Sequence, residues 1–156
     1  MRGWNVMRGY CNNPEATANA FTADGWLRTG DLGELTAGGR LRMSGRLKDL
    51  FRVGGENVAP AEVEEVLLAH PAVETAQVIG VPDKRLGEVA CAYVTLRSGF
   101  EISEEELKNW TKERTANFRV PRYLKIVDDF EAIGMTASGK VQKQKLREHA
   151  LKEFKL

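Results

Sequence analysis

The sequence predicts an α+β fold: a short mixed or antiparallel sheet flanked by helices and preceded by β-hairpin segments. Three observations carry that expectation. Residues 60–68 and 103–114 place apolar side chains at helical spacing behind recognisable N-terminal signals. Residues 76–81 and 88–96 are apolar runs separated by the polar turn Pro82-Asp83-Lys84-Arg85. Over residues 60–155 the elements follow the order helix, strand, strand, helix, strand, helix, which suits helices packed against a short sheet.

Residues 1–24 are turn-rich, and Asn13-Pro14-Glu15 opens a short helix with Asn13 as cap and Pro14 in the first turn. Trp26 to Leu35 and Arg40 to Ser44 read as strands joined through Ala37-Gly38-Gly39. Residues 45–58 read as loop with hairpin content around Leu50–Asn57, and the composition shift near Gly45 puts the main boundary between Leu47 and Asp49. Next comes the most legible segment. Pro60 and Glu62 suit a helix N-terminus, Val63, Val66 and Leu67 share one face, and Pro71 stops the helix. Ser103 with Glu106 makes a capping box for a helix carrying Leu107, Trp110 and Arg114. Tyr123–Val127 is a third strand of the small sheet, and residues 141–155 form a final helix with a basic outer face.

Composition narrows the function classes. The 156 residues are 42% apolar and 29% charged, which suits a soluble globular chain able to bury a core. Twenty-three basic residues balance 22 acidic ones, so any anion site is local and no field for nucleic acid exists. No apolar run is long enough for a transmembrane segment, and no signal peptide is visible. Cys11 and Cys91 match no metal spacing. Cys91 sits in an apolar strand as a buried reduced thiol, which points to a cytoplasmic location. His70 and His149 are far apart, so neither a metal site nor a nucleophile-base pair is expected.

Four motifs place charge or glycine where a phosphorylated ligand could come close. In Arg28-Thr29-Gly30-Asp31 the carboxylate can accept two hydrogen bonds from a vicinal diol, or simply cap a turn. Gly45-Arg46-Leu47-Lys48-Asp49 adds a guanidinium fork suited to phosphate or ribose, and equally fits a solvated charge cluster. Gly54-Gly55 lets a thin substrate pass close to backbone, or closes a tight turn. Thr136-Ala137-Ser138-Gly139-Lys140 lacks Walker spacing. It leaves a lysine on a loop before a helix, either solvated or able to neutralise charge building up at a phosphate.

In this order the motifs resemble the adenylate-forming acyl-CoA synthetases, and in particular their C-terminal portion. The likeness runs from Gly9-Tyr10 and Asn13-Pro14-Glu15-Ala16-Thr17 through Gly25–Gly33, Gly45–Asp49 and Gly55–Glu64. It continues in Phe118-Arg119-Val120-Pro121-Arg122 and Thr136–Lys143. Gly134-Met135 stands where the family often has a proline. The resemblance implies the small C-terminal domain of the acyl-CoA synthetase-like fold in residues 48–156, with residues 1–47 as the C-terminal remnant of the large nucleotide-binding domain. It implies an enzyme that joins a carboxylic acid to ATP and then to coenzyme A, with Mg2+ in the full enzyme and no ligand for it here. By position, Asp31 and Arg46 would hold the nucleotide, Lys48 would be the hinge, Lys140 the adenylation lysine, and Gly54 and Gly55 the coenzyme A passage. The phosphate loop, acid pocket and adenine site would lie upstream, so the expected partner is the missing N-terminal catalytic domain, and the fragment alone should be inactive. A freestanding module binding coenzyme A or an acyl carrier, and a luciferase- or peptide-synthetase-like member, are the competing readings.

Overall fold

The computed structural model describes residues 1–156. Its N-terminal part holds helix α1 (Pro14–Ala20), capped by the Asn13 side chain, and an antiparallel pair of β1 (Asp31–Leu35) and β2 (Leu41–Arg46). The first strand starts at Asp31 rather than Trp26. Gly25 and Gly30 both take positive φ, and Thr29 Oγ1 accepts the Asp31 N–H, so residues 25–30 turn instead of extending. A 3-10 turn, Leu47–Asp49, separates this pair from the second sheet.

That sheet begins with a hairpin of β3 (Phe51–Val53) and β4 (Glu56–Val58), where only loop with hairpin content was expected. Helix α2 (Pro60–Leu68) follows, then the long antiparallel pair β5 (Val73–Asp83) and β6 (Gly87–Leu96). Helix α3 (Glu104–Lys112) has both arms of its capping box in place. Strand β7 (Tyr123–Ile126) pairs parallel with β6, so the sheet is mixed. Two helices close the chain: the four-residue α4 (Glu131–Gly134), absent from the sequence expectations, and α5 (Lys143–Glu153). Its order is β4-β3-β6-β5, with β7 also on β6, so the far edge of β5 has no strand partner. This is the α+β architecture of helices on a short sheet that the patterning predicts.

Every buried residue lies between Phe51 and Ala150. Val63 and Leu67 of α2, Leu107 of α3 and Leu146 of α5 pack with Val78, Val81, Tyr93, Val94 and Leu124 of the sheet into one core. Residues 1–50 bury none, and Leu35, Leu41, Met43 and Leu47 stay more than half exposed. The N-terminal part therefore has no core of its own.

Candidate functional site

Antiparallel pairing of β1 with β2 sets Asp31 opposite Arg46, which brings two residues distant in sequence into contact. Arg46 Nε lies 3.3 Å from Asp31 Oδ1. Only one nitrogen and one oxygen meet in this pair, so the second carboxylate oxygen and the outer guanidinium nitrogens remain open to a ligand. Gly45, at φ +143, brings the strand end within 3.8 Å of Ala61 and 3.9 Å of Ala59, measured from an added Cβ. The nucleotide-binding candidates thus sit directly beside the start of α2.

Lys140 closes a tight turn. Thr136 N–H donates to the Lys140 carbonyl at 2.8 Å, Lys140 N–H donates to Thr136 Oγ1 at 3.0 Å, and Gly139 N–H donates to the Thr136 carbonyl. Gly139 supplies the positive φ of +75 that this geometry requires. An antiparallel bridge between Met135 and Val141 forms the stalk. The backbone of Lys140 is fixed while its exposed ammonium makes no ion pair or hydrogen bond within the chain. Charge is presented outward on a braced loop.

A cleft of about 790 Å³ lies between these parts. Its lining includes Arg46 and Lys48 from before the second sheet, Phe51 and Ile79 from the sheet, and Thr136 and Lys143 from around the lysine loop. Arg46, Lys48 and the foot of the lysine loop are therefore brought together. Gly54 and Gly55 are not. They form the β3–β4 turn with φ +57 and +99, the two successive left-handed residues of a tight hairpin. Gly54 N–H donates to the Leu86 carbonyl, and a side chain there would stand 3.1 Å from Leu86, whereas Gly55 faces open space.

In the sequence Lys143 and Arg147 are legible only as part of a basic helix face. Their signal was the four-residue spacing at the start of α5, which points both to one side of the helix. Arg147 pairs with Glu88 at 3.1 Å, and Glu88 Oε2 also accepts the Arg52 N–H, joining α5 to β3. No group of three or more His, Cys, Asp or Glu side chains is placed to hold a metal ion by itself. No helix is long and apolar enough to cross a membrane.

Residues 62–140 match the model of the AMP-binding enzyme C-terminal domain. The chain is 50% identical over 148 residues to the 3-[(3aS,4S,7aS)-7a-methyl-1,5-dioxo-octahydro-1H-inden-4-yl]propanoyl:CoA ligase of Mycobacterium tuberculosis, covering 95% of this chain and 29% of that protein. It is 43% identical over its whole length to the mitochondrial medium-chain acyl-CoA ligase ACSF2 of Rattus norvegicus, of which it covers 25%. The crystal structure of ATP-bound MatB from Rhodopseudomonas palustris superposes with a TM-score of 0.85 at 38% identity, over 96% of this chain and 29% of that one. Apo MatB, at the same coverage and 39% identity, gives 0.69. The chain spans less than a third of the length of each of these proteins.

Proposed function

Because the chain belongs to the AMP-binding enzyme C-terminal domain family, we propose that it is the C-terminal part of an AMP-forming carboxylic acid:CoA ligase. The observation that carries this reading is Lys140, an unpaired ammonium on a braced loop whose foot shares a cleft with Arg46 and Lys48. In the first half-reaction a carboxylate oxygen attacks the α-phosphorus of ATP, and pyrophosphate leaves. Lys140 offsets the negative charge that gathers between the two reacting anions. Asp31 accepts hydrogen bonds from the ribose hydroxyls, and the outer nitrogens of Arg46 hold the nucleotide. In the second half-reaction the coenzyme A sulfur attacks the acyl carbonyl, and AMP leaves. The open side of Gly55 suits a pantetheine arm passing close to backbone.

One small domain serves both steps if it turns about Lys48, in the 3-10 segment between the two sheets. The contrast between two states of MatB supports this: the chain follows the ATP-bound arrangement more closely than the apo one, at equal coverage and nearly equal identity. The exposed leucines and Met43 of the β1–β2 pair supply an apolar face for the N-terminal catalytic domain, with residues 1–47 as its tail. Two free cysteines suit a reducing compartment, and we place the ligase in the cytoplasm.

The reading predicts that this chain alone catalyses no ATP–pyrophosphate exchange with any carboxylic acid. Exchange should appear when the chain replaces the matching C-terminal segment of MatB. Robust exchange by the isolated chain would sink the proposal, and tight coenzyme A binding by it would favour a freestanding module.

A further inference from the structure

The geometry points to Glu64 and Lys143 as positioning residues that hold the Lys140 loop in place through the free edge of β5; the inference rests on the ligase reading for what that loop does. Strand β5 pairs only with β6, so the backbone groups on its other edge have no strand partner. At Val78 both are met by charged side chains instead. Val78 N–H donates to Glu64 Oε1 at 2.8 Å, and the Val78 carbonyl accepts from Lys143 Nζ at 3.1 Å. Lys143 Nζ also donates to Glu64 Oε1 at 2.8 Å. Three elements meet at one peptide: α2 through Glu64, β5 through Val78, and the first residue of α5 through Lys143.

The two side chains retain 17% and 26% of their exposure, so this pair is more shielded from solvent than the other ion pairs of α5. Charge-assisted hydrogen bonds of this kind are the strong ones, and removing either partner leaves the other's charge with only its bond to Val78. Lys143 stands three residues after Lys140, at the foot of the turn. Between them Val141 bridges to Met135, and Gln142 N–H donates to the Gly134 carbonyl, but so short a hairpin keeps these bonds only while the segment stays docked on the sheet. The segment is docked on the sheet by the apolar packing of Met135 and Val141, by the buried Leu146 in the first turn of α5, and by the Lys143 ammonium. The edge clamp therefore sets where Lys140 is presented.

Amide hydrogen exchange on the 156-residue chain tests this without any ligase activity, so its failure is separable from failure of the functional reading. In Lys143→Met, the amides of Gly139, Lys140 and Gln142 should exchange about tenfold faster, the scale of one lost charge-assisted hydrogen bond. Leu107 and Thr111 in α3 serve as internal reference and should not change. Lys143→Arg keeps the donors and should return the loop to near the parent rate. Glu64→Gln, which keeps an acceptor for Val78 but removes the charge, should fall between them and carries the test if Lys143→Met does not fold. Loop exchange that stays at the parent rate, or that rises only in step with the α3 amides, overturns the assignment.

Discussion

At the scale of single residues, the chain separates groups held for structure from groups left free for chemistry. Cys91 and Lys140 mark the extremes. Cys91 is fully buried in β6, and burial, followed by the negative charge of Glu153, pushes its thiol from 9.0 up to about 12. Burial raises Tyr93 in the same direction, and its hydroxyl donates to Glu153 at 2.7 Å. A folded-state pKa above the unfolded one contributes stability that is complete below about pH 9 and is lost as pH rises toward 12. Cys91→Ala should therefore flatten the alkaline fall in urea-unfolding stability. In the native protein at pH 8, a thiol reagent should modify the exposed Cys11 alone, with Cys91 reacting only on unfolding. Rapid modification of both thiols in the folded chain contradicts this account.

At the scale of elements, the close approach of β3 to β5 is the tightest constraint. A Cβ on Gly80 would stand 2.4 Å from Cβ of Phe51, a distance no real pair adopts, and both residues are buried. Gly80→Ala should cost about 1–3 kcal/mol by urea unfolding, because the strand and the β3–β4 hairpin must separate to admit the methyl group. An unchanged midpoint would show that the hairpin docks more loosely. Legibility in sequence follows the range of each signal. Helix α2 was readable because Pro60, Glu62, Val63 and Leu67 are all local, and α3 because Ser103 and Glu106 cap each other. The four-residue α4 offers no period to read, and the positive φ of Gly30 starts β1 at Asp31 where the sequence suggests Trp26. The candidates Lys140 and Arg46 lie in motifs that sit whole in the chain. The Glu64–Lys143 clamp does not, since its partners lie 79 residues apart and meet only because β5 is an edge strand.

At the scale of the whole molecule, a part without a core is joined through a short 3-10 segment to a part that holds all the buried residues. Few contacts cross between them: Arg42 reaches Glu65 at 3.5 Å, and Gly45 approaches Ala59 and Ala61. The Arg42–Glu65 pair is well exposed, so it biases the arrangement weakly and leaves rotation possible. Under the proposed ligase reading, such a molecule suits a reaction in two steps, with different loops of one small domain used in each. The direct measurement is the effect of Lys140→Ala on the two half-reactions, made with this chain joined to the large domain of MatB. Adenylate formation, read by ATP–pyrophosphate exchange, should fall by about 10²–10³, the scale of losing one preorganised charge at a reacting phosphate. Thioester formation from a supplied acyl-adenylate should stay within a few-fold of the parent. Equal loss in both half-reactions, or none in the first, would contradict the role given to Lys140.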